Sequence, residues 1–281
     1  VMGVFAPLII LGGLGFPVLY DVMSWLVRQV KRWTLLHRGN VGAVARLPGR
    51  PVLTLHSKLI LVTTVCLLVL GTVGLVATEL LTTPIGTSDW NTISKPAVVR
   101  EAAFLSVSAR TAGFNTTDLA YLSPSGKLLV SGLMLVGGSP ASTAGGMKTV
   151  VLAVLVLAVM SSFFKRRDVE VFHRRIANTL FRHAAVIAFL YLTLVGVVTF
   201  CLTLSLGNRF PLVDLFFEAC SACGTVGLST GVTGSLTGGT KAVIILAMFI
   251  GRLGPMTMLL ALNNRFQQVE YSYPEGHVII G

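Results

Sequence analysis

Thr111-Ala112-Gly113-Phe114 and Thr225-Val226-Gly227-Leu228 lie 114 residues apart in a chain of 281 and share the pattern Thr-small-Gly-apolar. Each run follows a moderately apolar stretch too short to cross a bilayer and precedes a long apolar one. That order is the order of a pore loop, in which a half-helix enters the membrane and an extended strand returns with its carbonyls facing ions. Lys127 and Lys241 are also 114 residues apart, so the register persists into the helix after each run. A common offset shared by two features points to an internal duplication.

Composition agrees with a membrane setting. Hydrophobic residues make up 53% of the chain and charged ones 12%, with a mean hydropathy of +0.81, which is well above a typical soluble domain. The runs Leu59 to Val76, Lys148 to Phe164, Ala184 to Leu206 and Ala242 to Leu262 are long enough, or nearly so, for a hydrocarbon core of about 30 Å. A first apolar run, Val1 to about Val27, contains Gly12, Gly13, Gly15 and Pro17 and carries Asp21 near its end. It has neither the basic start nor the small-residue cleavage site of a signal peptide.

The net charge of +11 is concentrated rather than spread. Of the 22 lysines and arginines, 7 lie between Arg28 and Lys58 and 6 between Lys165 and Arg182. The positive-inside rule assigns both connections to the cytoplasm, where they would meet lipid headgroups or a docking partner; nucleic acid is not expected. The less basic connections, Glu79 to Glu101 and Arg209 to Glu218, fall outside. The predicted repeat is then helix, re-entrant pore helix, filter, helix. Its first copy dips at about Pro96 to Arg110 and its second at Leu212 to Cys223.

Backbone carbonyls can replace the water of a potassium ion without a full charge that would hold it too tightly. Thr111, Ala112, Gly113, Phe114 and Asn115 are the predicted ion-binding filter of the first copy, and Gly224, Thr225, Val226, Gly227 and Leu228 that of the second. Gly113 and Gly227 would supply the backbone angles that turn carbonyls inward. The threonine hydroxyls would cap the preceding half-helix, whose negative end also favours a cation. An ordinary helix stop is the alternative reading of Thr-x-Gly.

Gly137-Gly138-Ser139-Pro140-Ala141-Ser142-Thr143-Ala144-Gly145-Gly146-Met147-Lys148 interrupts the helix after the first filter. Four glycines and a proline cannot stay regularly helical, and irregular backbone at membrane depth must be buried in protein or line a wet path. Gly137, Gly138, Ser139, Pro140, Ser142, Thr143, Ala144, Gly145, Gly146 and Lys148 are therefore predicted gate residues, a merely kinked helix being the alternative. A phosphate-binding loop is disfavoured because the G-x-x-x-x-G-K-[ST] spacing is absent. Arg252 is a charge within an apolar span and, offset by 114, falls beside Gly138. It is expected to face the pore and bond loop carbonyls, with snorkelling to the interface as the alternative.

The strings SARTAGFNT at 108–116, GGSPASTAGGMKT at 137–149, GTVGLSTG at 224–231 and FIGRLGP at 249–255 resemble the third and fourth pore repeats of the Trk/Ktr/HKT potassium transporter superfamily. The ending YPEGHVIIG at 273–281 is more similar to Ktr membrane subunits (KtrB) than to Trk ones. The resemblance implies potassium uptake across the plasma (inner) membrane, a filter above an intramembrane gating loop, and a homodimer. It also implies a cytoplasmic nucleotide-binding regulatory ring (KtrA-like) and, in many members, sodium dependence. Family pores have four filters and this chain carries two, so the first repeat and second filter are expected in a missing upstream fragment. A structural fragment, or a secondary transporter for another cation, is the alternative function.

The resulting expectation is an all-α membrane protein of repeated helix, re-entrant pore helix and filter, and helix units, with one interrupted second helix. Its parts are a last helix of an incomplete repeat (1–33), a basic linker (34–58), a third-type repeat (59–164, interrupted at 137–146), a basic loop (165–183), a fourth-type repeat (184–264) and a tail (265–281). No organic cofactor, bound metal or enzyme activity is expected. Cys220 and Cys223 read as small packing residues of a pore helix rather than ligands, and nothing resembles a nucleophile, base and orienter set.

Overall fold

The computed structural model describes residues 2–38, 52–82, 95–165, 169–172 and 174–254. The linker at 39–51, the end of the last apolar run from 255 and the terminal 273–281 lie outside the described residues. The described chain is almost wholly helical: α1 (Met2–Leu14), α2 (Phe16–His37), α3 (Leu55–Thr82), α4 (Lys95–Ser108), α5 (Pro124–Leu135), α6 (Thr149–Phe163), α7 (Asn178–Leu206), α8 (Leu212–Gly224) and α9 (Gly238–Leu253). Between α6 and α7 the strands β1 (Val169–Val171) and β2 (Arg174–Ile176) pair antiparallel, with Val169 opposite Ile176.

α3 and α7 are long and apolar enough to cross a membrane. The short helices α4 and α8 hold the places predicted for the re-entrant segments, and each is followed by its Thr-x-Gly run and an ascending chain that leads into α5 or α9. The helix, short helix, helix unit thus occurs twice, as α3-α4-α5/α6 and α7-α8-α9.

Two departures from the sequence reading are physical. The first apolar run is not one straight helix: α1 and α2 meet at 103°, because Gly15 sits at φ 77 and Pro17 occupies the first turn of α2. The basic loop at 165–183 contains the hairpin, and α7 starts at Asn178. Glu79 and Glu218, at the bounds of the two less basic connections, are 1% and 4% exposed. Glu79 accepts from the Ser123 hydroxyl at 2.6 Å, while Ser123 itself caps α5 by accepting from the Gly126 amide at 2.9 Å.

The core is centred on α8, which is buried from Phe217 through Gly224. Lipid tails are as apolar as leucine, so membrane helices associate through close packing, for which small residues are suited. The Ala219-Cys220-Ser221-Ala222-Cys223-Gly224 run meets that need. A Cβ on Gly224 would lie 2.6 Å from the Met134 carbonyl oxygen of α5, and one on Gly251 of α9 only 1.9 Å from that of Cys223. Cys220 and Cys223 are buried free thiols within this packing.

Candidate functional site: two Thr-x-Gly runs beside an interrupted helix

The two runs share an unusual backbone. Thr111 and Gly113 have φ of 68 and 75, and Thr225 and Gly227 have φ of 52 and 93, so a left-handed residue occupies every second position in each. Left-handed backbone is uncommon for any residue with a Cβ and is held only where surrounding contacts determine it. Sequence reasoning assigns this conformation to the glycines alone; the threonines adopt it too. The runs also touch, since a Cβ on Gly113 would lie 2.4 Å from the Val226 carbonyl oxygen. Val226 and Leu228 are buried at 4% and 2%, which anchors the second run by its side chains. In the first run Phe114 is exposed and lies with its ring centroid 5.5 Å from that of Phe5 on α1.

The helix ends are closed differently from expectation. α8 is terminated by main-chain bonds, Thr225 N–H to the Ala222 carbonyl at 3.0 Å and Val226 N–H to that of Ser221 at 2.9 Å. The Thr225 hydroxyl is buried with no protein partner, so it is not the cap. α4 stops three residues before Thr111, where Ala112 N–H donates to the Ser108 carbonyl at 3.1 Å and the Ser108 hydroxyl donates to the Phe114 carbonyl. Asn115 donates to the Thr117 carbonyl at 3.2 Å.

Between α5 and α6 the chain leaves the helix and returns. Its base is pinned by a parallel bridge between Val136 and Met147, with Gly137 N–H donating to the Met147 carbonyl at 2.8 Å. Gly137, Gly138, Ser139, Ala144 and Gly145 are buried, whereas Ala141 and Thr143 are exposed. Glycine is required at the base: a Cβ on Gly137 would sit 1.9 Å from the Gly145 carbonyl oxygen. Pro140 opens the tip, and the Ser142 hydroxyl bonds back to the Ser139 carbonyl at 2.6 Å.

Contacts place this loop against the second Thr-x-Gly run. A Cβ on Gly145 would lie 2.0 Å from the Thr225 hydroxyl, and Gly146 lies near the Tyr191 hydroxyl. Three cations grip loop carbonyls: Arg252 donates to Thr143, Lys148 to Ala144 at 2.6 Å, and Arg110, next to Thr111, to Gly137 at 3.2 Å. The elbow between α1 and α2 holds the same loop from the side, with Ser139 N–H to the Gly13 carbonyl at 2.9 Å and Phe16 N–H to that of Ala141 at 3.4 Å. The structure therefore brings together Thr111, Thr225, the loop and Arg252, which are far apart in the chain.

Sequence reasoning misses several members of this assembly. Arg110 stands beside the first run, where the sequence marks it only as the end of a re-entrant segment. Glu218 accepts from the Ser229 hydroxyl at 2.6 Å, the Thr230 amide at 3.0 Å and the Thr233 hydroxyl at 2.8 Å, holding the segment that leaves the second Thr-x-Gly run. Glu101 on α4 accepts from the Thr116 hydroxyl just after the first. Lys127 and Asp214 form an ion pair at 2.7 Å, both nearly buried, between the starts of α5 and α8. An ionisable residue inside an apolar segment is the available signal for all of them.

Comparison with known proteins supplies the family. The family model of TrkH, a cation transport protein, matches residues 1–271. The chain is 32% identical over 98% of its length to the Ktr system potassium uptake protein D of Bacillus subtilis, of which it covers 55%. It is 34% identical over 99% of its length to the potassium/sodium uptake protein NtpJ of Enterococcus hirae, of which it covers 56%. The chain thus spans about half the length of these curated relatives. The crystal structure of the potassium transporter TrkH from Vibrio parahaemolyticus shares the fold, with a TM-score of 0.57 at 20% identity, over 76% of this chain and 45% of that one. With its whole length bar ten residues matched by the family model, its all-helical repeats and its paired Thr-x-Gly runs, the chain belongs to the TrkH family of cation transport proteins, a family of transporters and not of enzymes.

Proposed function

We propose that this chain contributes two walls of the selectivity filter, and the gate, of a potassium uptake pore in the plasma membrane. The observation that carries this reading is the matched alternation of left-handed residues at Thr111 and Gly113 and at Thr225 and Gly227. That backbone differs from an extended strand, whose carbonyls point alternately to opposite sides, and it suits a row of carbonyls aimed at one ion path. Two runs in contact leave no ion-sized space between them, so the path is completed by further walls from other chain segments of the whole protein. Thr111, Ala112, Gly113, Phe114 and Asn115, with Gly224, Thr225, Val226, Gly227 and Leu228, line it.

The loop from Gly137 to Gly146 is the gate, held closed across the inner side of the filter by Arg252, Lys148 and Arg110. Its position supports this: backbone this irregular is tolerated at membrane depth only where it lines a wet path or is buried in protein. Buried polar atoms normally have partners, and among the described residues the Thr225, Thr149 and Tyr191 hydroxyls near the loop have none in the protein. Water or a passing cation in the pore would satisfy them. Names of the relatives support potassium as transported ion, sodium as a second ion and a multi-component system; the homodimer and the cytoplasmic nucleotide-binding regulatory subunit are the form we propose for that system.

The test uses the full-length protein and rubidium uptake. Gly227→Ala adds a methyl with open space around it, its nearest neighbour being the Gly113 Cα at 3.7 Å, so it probes φ 93 alone. It is expected to abolish uptake or to lose discrimination between rubidium and sodium. Unchanged uptake and selectivity would sink the filter assignment. Deleting Ser142 to Gly145 is expected to raise conductance, and a fall in a well-folded protein overturns the gate.

A further inference from the structure

A second feature lies on the outer flank of the first repeat. α3, α6 and the β1–β2 hairpin enclose an open groove of about 390 Å³, lined by Leu59, Leu70, Val156, Met160 and Phe172 among others. Its lining is apolar: beside aliphatic and aromatic side chains it holds only the Cys66 thiol, the Met160 thioether and the Thr63 hydroxyl, and that hydroxyl donates to the Leu59 carbonyl at 2.8 Å within its own helix. A peptide or sugar would find no polar group there. The groove runs along α3 from Leu59 to Leu70, which at 1.5 Å per residue is about 17 Å. One leaflet of a bilayer has a hydrocarbon depth of about 15 Å.

The groove's lower end is charged. Lys58 precedes Leu59 and holds its ammonium 5.6 Å from the centre of the Phe172 ring, at the mouth. Phe172 reaches this place because it occupies the hairpin turn, at φ 48, between the paired Val171 and Arg174. The hairpin adds Arg174 and Arg175 against one carboxylate, Glu170. The basic connections that flank α3 and α6 put this end on the cytoplasmic side, where anionic lipids concentrate.

We propose that the groove is a binding site for one acyl chain of an anionic phospholipid of the cytoplasmic leaflet, whose phosphate sits on Lys58. Length, lack of polar lining and the sign of the charge at the mouth each match that ligand. The site is separate from the ion path and requires only that the chain lie in a membrane, so it stands or falls independently of the filter reading.

Native mass spectrometry of the full-length protein, purified from a 1:1 mixture of phosphatidylglycerol and phosphatidylcholine, tests it. One lipid per protomer is expected to survive detergent exchange, with phosphatidylglycerol favoured about fivefold, the effect of one lysine at an anionic surface. Val156→Trp fills the groove and should remove that lipid, while Lys58→Gln should keep a lipid but lose the preference. Equal retention of the two lipids by the unaltered protein overturns the proposal, as does retention by Val156→Trp. Cys66 lines the groove and is exposed, so a high-yield Cys66–Cys66 crosslink in membranes would show a second copy covering it and would overturn the proposal as well.

Discussion

Removing the Glu218 carboxylate should loosen the chain that leaves the second Thr-x-Gly run. Glu218 is 4% exposed and takes bonds from the Ser229 hydroxyl, the Thr230 amide and the Thr233 hydroxyl at 2.6, 3.0 and 2.8 Å, with the Thr230 hydroxyl at 3.4 Å. In Glu218→Ala the buried Thr230 N–H has no acceptor, which alone costs about 1–3 kcal/mol, while the hydroxyls can turn to neighbours. A total of about 2–4 kcal/mol is expected, equivalent to about 3–7 °C in the unfolding temperature of a chain this size. Glu218→Gln keeps the carbonyl oxygen that serves Ser229 and Thr230 and should lose only about 1 kcal/mol. Both are read by thermal unfolding in detergent, followed by tryptophan fluorescence, with rubidium uptake alongside. The ordering unaltered, Gln, Ala must appear in both measurements. An alanine variant within about 1 °C of the unaltered protein would refute the reasoning.

Three further outcomes are expected. Lys127→Ala or Asp214→Asn breaks a nearly buried ion pair and should each cost about 3–5 kcal/mol by thermal unfolding, whereas replacing both by apolar residues should cost less than either single change. Gly251→Ala puts a methyl 1.9 Å from the Cys223 carbonyl oxygen, so α9 must move off the end of α8; destabilisation of about 1–3 kcal/mol is expected, and a neutral result would mean that the two backbones are not in contact. Arg252→Gln weakens the grip on the Thr143 carbonyl, and if the loop is a gate, rubidium uptake by the full-length protein should rise; a fall at normal expression counts against that role.

What is legible in the sequence follows from the range of each interaction. The pore repeats are readable because each depends on local chemistry: an apolar run of a given length, a glycine where φ must be positive, a proline where a helix must stop. The Gly137–Gly146 interruption is readable for the same reason. Partners of buried charges are not. Lys127 is a register mark in the sequence, yet its role depends on Asp214, which lies 87 residues on and reaches it only when α5 packs on α8. Glu79 and Glu218 bound the two less basic connections in the sequence, but the amides and hydroxyls that surround each carboxylate are not readable there.

By itself, the sequence determined that this is a helical membrane chain with a duplicated helix, short helix and Thr-x-Gly unit and an interrupted helix, since hydropathy, periodicity and backbone stereochemistry are properties of short segments. Only the tertiary structure decided that Thr111 and Thr225 adopt left-handed backbone, that α1 and α2 part at Gly15, and that three cations from separate elements close on one loop. Those outcomes depend on what packs beside each residue, and a strained backbone or a buried charge is held in place only by neighbours that the linear chain does not reveal.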